Sequence, residues 1–125
     1  MSDQTSKSRE RFLTDSSAVP EGAWREVQVQ DEQHGTWLVL TRVDGVVRGW
    51  LNVCPHAGRA LNWAPDRFLV DPEGQLICAA HGAVFRPDDG LCVAGPCRGA
   101  SLTPVEVIER DGRILLRPAA SSRME

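Results

Sequence analysis

Two short stretches of the sequence pair a thiol with an imidazole: Cys54-Pro55-His56-Ala57-Gly58 and Cys78-Ala79-Ala80-His81-Gly82. Between His56 and Cys78 lie 21 residues, positions 57–77. A thiolate is a soft ligand and an imidazole a borderline one, so two such pairs in similar form suit a transition-metal site. Each pair runs into a glycine, which lets the backbone approach a bound group with no Cβ in the way. A tetrahedral zinc site and an iron–sulfur centre both accept this ligand list. The chain has only three histidines, so a metal site can draw on His34, His56 and His81 alone. His34, in Gln33-His34-Gly35, reads as a solvated turn residue without a metal role.

The elements that position these pairs are strands. Val27 and Val29 alternate with polar neighbours, as a half-buried strand requires. Trp37, Val39, Thr41 and Val43 mark one face of a second strand and Leu38 and Leu40 the other. Asp44-Gly45 then separates two apolar runs, and both residues tolerate the positive φ of a tight turn, so 36–43 pairs with 46–53 as a hairpin. Asp111-Gly112 does the same between 105–110 and 113–117. The middle, 54–103, is rich in Gly, Pro, Asp and Cys, with short strands expected at 67–70, 75–79 and 83–86 and turns at 71–74 and 88–90. No stretch carries a sustained helical period. The expected fold is all-β, an antiparallel base of terminal strands with a loop-rich segment inserted into it.

The pattern Cys-x-His, followed at a distance by Cys-x-x-His, resembles the signature of Rieske domains. Cys54-Pro55-His56, His81-Gly82-Ala83-Val84-Phe85, Asp89-Gly90 and Gly95-Pro96 look like the two cluster loops and the proline-containing covering loop of Rieske ferredoxins. The resemblance covers about residues 24–117. It implies one Rieske-type [2Fe–2S] cluster per chain, with Cys54 and Cys78 on a buried inner iron and His56 and His81 on an outer iron near the surface. Two neutral imidazoles in place of two thiolates remove two negative charges, which raises the potential of such a centre. In high-potential respiratory members of the family a Ser follows the second His-Gly and a Tyr lies two residues further. This sequence has Ala83 and Phe85 there. The disulfide that braces the two cluster loops in some respiratory members is also missing, because its positions hold Arg59 and Ala80.

On this reading residues 1–22 are a flexible leader, 23–118 the Rieske domain with 54–103 as its cluster-binding part, and 119–125 a flexible tail. The leader is polar and has no apolar signal-peptide core, which points to the cytoplasm. No apolar run approaches the roughly 20 residues of a membrane span. Net charge is −3, with no basic stripe for a phosphate backbone, which argues against nucleic acid. The implied function is a soluble one-electron carrier, not itself an enzyme, taking electrons from a reductase and passing them to an oxygenase or related enzyme. A small Rieske subunit of a larger, nitrite-reductase-like complex and a structural zinc module are the alternatives. An independent oxygenase needs a further iron on two histidines and a carboxylate, and only His34 is left over. A reductase needs a Gly-x-Gly-x-x-Gly nucleotide site, which the sequence lacks. Trp24, Trp37, Trp50 and Trp63 are expected to pack the β core, with Trp63 also placed to shield the first cluster loop. Cys92 and Cys97 flank the third loop as buried thiols, or as a local disulfide or redox-sensitive pair.

Overall fold

The computed structural model describes residues 10–30, 35–55, 58–79 and 82–117. Both Asp-Gly pairs form the turns their chemistry predicts. Asp44 and Gly45 have φ of 52° and 82°, and Asp111 and Gly112 have φ of 55° and 77°, positive at both central positions as a two-residue hairpin demands. The first turn joins β3 (Gly35–Val43) to β4 (Val46–Leu51). The second joins β9 (Pro104–Arg110) to β10 (Arg113–Arg117). The Glu21 carboxylate accepts from the Asp44 and Gly45 N–H groups at 2.6 and 2.9 Å and holds the first turn in place.

With β1 (Arg11–Asp15) and β2 (Trp24–Gln30), the hairpins make a six-stranded antiparallel sheet in the order β1-β10-β9-β4-β3-β2. β1 corrects the expected leader boundary at residue 22. Phe12 pairs with Leu115, Leu13 packs on the core, and after a 3-10 turn at Ser16–Ala18 the Val19 side chain is fully buried. Two or three apolar residues suffice because the exposed edge of β10 supplies the backbone partners that composition cannot reveal. Residues 1–9 and 118–125, which hold the rest of the expected leader and tail, lie outside the described residues, as do 31–34 with His34.

The segment between β4 and β9 forms a second antiparallel sheet of β5 (Leu69–Val70), β6 (Leu76–Ile77), β7 (Val84–Phe85) and β8 (Cys92–Ala94). The strands are shorter than the expected 67–70, 75–79 and 83–86, and β8 was not anticipated. Its two ends are stapled to the base where Gly49 and Trp50 pair with Val105 and Pro104, and where the Leu51 N–H donates to the Thr103 carbonyl at 2.8 Å.

β3 divides the interior in two. Leu40 faces a core with Val19, Val47 and Ile114 inside the base. Val39 faces a second core, shared with the insert, that holds Trp24, Trp50, Leu61, Leu76, Phe85, Leu102 and the thiols Cys54, Cys78 and Cys92. Trp24 and Trp50 stack there with centroids 5.9 Å apart. The other two tryptophans do not join them: Trp37 is 46% exposed and Trp63 59% exposed. Trp37 lies near the start of β3, and Trp63 on the segment leaving the first cysteine loop.

Candidate metal centre

Cys54 follows β4 by three residues and Cys78 follows β6 directly, so a strand anchors each thiol. Both are free cysteines with no solvent exposure, and both belong to the core that the insert shares with the base. Two backbone bonds frame each loop, at the same offsets. The Cys54 N–H donates to the Arg59 carbonyl at 2.7 Å, and the Gly58 N–H donates back to the Cys54 carbonyl at 2.8 Å. The Cys78 N–H donates to the Ala83 carbonyl at 2.7 Å, and the Gly82 N–H donates back to the Cys78 carbonyl at 2.9 Å. Each frame closes through a glycine in the left-handed region, with φ of 69° at Gly58 and 78° at Gly82, which a side chain would strain. His56 and His81 fall inside these two frames by sequence and lie outside the described residues. The described half of the expected ligand set is therefore a pair of buried thiols at equivalent corners of two like loops. That arrangement fits a metal group held between the loops by one thiolate from each.

A buried polar network, which the sequence reading missed, fixes the segment after the first loop. Asn52, 3% exposed, accepts from the Leu61 N–H at 2.8 Å and donates to Asn62 at 2.9 Å. Glu26 on β2 accepts from the Asn62 amide at 3.2 Å and from the Asp66 N–H at 2.9 Å, while Asp66 accepts from the Glu26 N–H at 2.8 Å. An asparagine two positions before the first cysteine, with Asn62 ten further on, was the available signal. Arg59, Ala60, Asn62 and Trp63 line a shallow cleft of about 350 Å³ with Ala79 of the second loop.

The third loop closes over the same core. Four backbone bonds within 92–100 hold its shape, among them Cys92 N–H to Ala100 O at 2.8 Å and Ala100 N–H to Cys97 O at 2.9 Å. Cys97 and Cys92 are free thiols with sulfurs 3.3 Å apart, and the Cys92 thiol donates to the Ala94 carbonyl at 3.2 Å. Burial, then Cys92 and Cys54, push the Cys97 pKa well above the ordinary thiol range. Gly95 (φ 97°) rests on the second loop, where an added Cβ would come 2.7 Å from Ala83 Cα. Gly95→Ala must therefore move backbone as well as strain φ, at a cost of about 3 kcal/mol. Gly74→Ala, also at positive φ but in open space, should cost about 1 kcal/mol. Denaturant unfolding of both variants tests this, and equal losses would contradict the contact.

The sequence pattern of the Rieske [2Fe-2S] domain family matches residues 10–114, most of the chain. The chain belongs to the Rieske [2Fe-2S] domain family. A Rieske domain is an electron-transfer module, and its cofactor is a Rieske-type [2Fe–2S] cluster. The family's sequence pattern starts within one residue of β1 and ends at the second residue of β10. No curated protein matches the chain by sequence. Among solved structures the fold is similar to the terminal oxygenase of carbazole 1,9a-dioxygenase from Novosphingobium sp. KA1, with TM-score 0.71 and 28% identity over 86% of this chain. It is also similar to the terminal oxygenase of carbazole 1,9a-dioxygenase from Nocardioides aromaticivorans IC177, with TM-score 0.71 and 21% identity over 89% of this chain. A third similar structure, the reduced complex between oxygenase and ferredoxin in carbazole 1,9a-dioxygenase, has TM-score 0.69 and 20% identity over 87% of this chain. The Rieske chain spans only 29%, 30% and 28% of these three matched chains. Among the described residues no helix is long and apolar enough to cross a membrane.

Proposed function

We propose that this Rieske protein is a one-electron carrier of the ferredoxin type, working in the cytoplasm between a reductase and an oxygenase or related redox enzyme. The observation that carries the reading is the pair of matching loop frames, each with a buried thiol at its base and a histidine within it. On this reading Cys54 and Cys78 hold the inner iron, and His56 and His81 hold the outer one. Bound there, the [2Fe–2S] cluster takes up and releases one electron at a time.

The chain's own part is to fix the ligands and exclude water. The frames close on Gly58 and Gly82, the Asn52 network pins the exit of the first loop, and Gly95 seats the third loop against the second. Similar solved structures include oxygenase–ferredoxin complexes of carbazole 1,9a-dioxygenase, which supports a redox-protein partner of that kind. A small subunit of a larger redox complex would use the same site and would be told apart by stable co-purification with a larger chain.

Protein purified without air should contain about two irons and two acid-labile sulfides per chain. It should also accept one electron from a flavin reductase. Stoichiometric zinc without sulfide, in protein never exposed to chelators, would replace this reading with the structural zinc module.

A further inference from the structure

We propose that Cys92 and Cys97 are a redox-active dithiol, which a small disulfide of the glutathione class oxidises to a disulfide within the third loop. Neither residue belongs to the proposed ligand set, so the inference stands apart from the carrier reading. Both are free thiols, and the Cys97 thiol donates to the Cys92 sulfur at 3.3 Å. A disulfide bond is about 2.05 Å long, so the two sulfurs need to approach by about 1.25 Å. The loop backbone already holds them together. The Cys92 N–H donates to the Ala100 carbonyl at 2.8 Å, and the Gly99 N–H donates back to the Cys92 carbonyl at 2.9 Å. The Ala100 N–H then donates to the Cys97 carbonyl at 2.9 Å, which folds the chain back so that sulfur meets sulfur. Thiols that only filled space would have no need of that contact, since S–H is a weak donor and sulfur a weak acceptor.

Access assigns the two roles. Cys92 is 1% exposed, whereas Cys97 is half-buried and lies between exposed Pro96 and Arg98. A small disulfide, R–S–S–R, therefore reaches Cys97 first. The Cys97 thiolate attacks one sulfur, a Cys97–S–S–R bond forms, and the released R–S⁻ takes up the Cys97 proton. Cys92 then attacks the Cys97 sulfur and breaks its bond to R, and the second R–S⁻ takes up the Cys92 proton. The pair loses two electrons and two protons, and the small disulfide becomes two thiols. The Cys92 proton starts on the Ala94 carbonyl at 3.2 Å, and Ala94 is exposed, so water replaces it there. The raised Cys97 pKa keeps its thiolate scarce, which makes the exchange slow. Gly95, inside the new ring, is the residue seated against Ala83 of the second loop. Closing the ring restricts 93–96 and holds the third loop down on the core of Cys54, Cys78 and Ala83.

The test treats the full chain, purified without air, with reduced glutathione or with excess oxidised glutathione. Remaining thiols are alkylated and the peptides mapped by mass spectrometry. The oxidised sample should carry a Cys92–Cys97 link that dithiothreitol reverses. Cys92→Ser should stop with glutathione on Cys97, and Cys97→Ser should leave Cys92 unmodified. In linked wild type the Cys92, Gly99 and Ala100 amides, bonded within the loop, should exchange about tenfold more slowly. Cys92 and Cys97 both alkylated after excess oxidised glutathione would overturn the proposal. So would a link from either to Cys54 or Cys78, or glutathione left on wild-type Cys97. These readings come from the wild type, so they decide the matter even if neither variant folds. Protein lacking iron and sulfide overturns the carrier reading alone, whereas iron-loaded protein with two alkylated loop thiols sinks only this inference.

Discussion

Stripping the cluster from the loaded protein should loosen residues 54–103 while the base keeps its structure. The insert has little of its own to hold it: β5, β6 and β7 are two residues long and β8 three. Each of its loops is framed by only two backbone bonds, at Cys54 and Cys78, the two thiols proposed to bind the inner iron. Metal-ligand bonds that exist only in the folded state contribute directly to folding, so the segment they cross-link loses most on their removal. The base has longer ladders, with β2 paired to β3 from Trp24↔Thr41 to Gln30↔Gly35 and a separate core around Leu40 and Ile114. Amide protection in the insert should fall at least about 100-fold in apo protein, about 2.8 kcal/mol at 1.4 kcal/mol per tenfold. The hairpins around Asp44-Gly45 and Asp111-Gly112 should change far less. Trp24 and Trp50 are the exception, since they stack against the insert's side of β3 and Trp24 Nε1 donates to the Gly74 carbonyl at 3.3 Å. Equal protection in the two regions would show that the insert folds without its metal.

What the sequence made legible was local. Asp-Gly between apolar runs specifies a turn with both φ values positive, whatever lies elsewhere, and both hairpins formed in that register. The thiol–imidazole spacing was visible as a local motif, and its two thiols, Cys54 and Cys78, lie buried at the bases of two like loops. The misses depend on distant partners. β1 exists because β10, at the other end of the chain, had a free edge. β8 is three residues that pair only because β7 lies beside them. Trp37 and Trp63 look like core residues by type, and only the sheet layout leaves them exposed. Asn52 reads as an ordinary polar residue until Leu61, Asn62 and Glu26 close around it. Cys97 was visible as a thiol near the third loop, but the core it packs against is drawn from the other loops and the base.

The centre should have a low potential for a Rieske cluster, roughly −150 to 0 mV on a family scale that reaches about +300 mV. Donors aimed at the cluster sulfurs and ligand thiolates stabilise the reduced state. Ala83 and Phe85, where high-potential respiratory members have hydroxyls, are fully buried and carry no side-chain donor. The structure also commits the backbone donors at the base of each loop. The N–H groups of Cys54, Gly58, Cys78 and Gly82 all give their bonds to carbonyls of the loop frames, so these four donors are committed elsewhere. Such a potential suits a carrier fed by a nicotinamide-linked reductase and not a quinol-oxidising complex. Ala83→Ser combined with Phe85→Tyr should raise the midpoint, by up to about 59 mV for each hydroxyl that strengthens reduction tenfold. The tyrosine hydroxyl must enter a closed core, so the double variant should also lose about 1–3 kcal/mol of stability unless that hydroxyl finds its sulfur. A redox titration of the wild-type protein gives the deciding number. A midpoint above about +150 mV would mean that solvent exclusion around Phe85 and Leu61, and not the supply of donors, sets the potential.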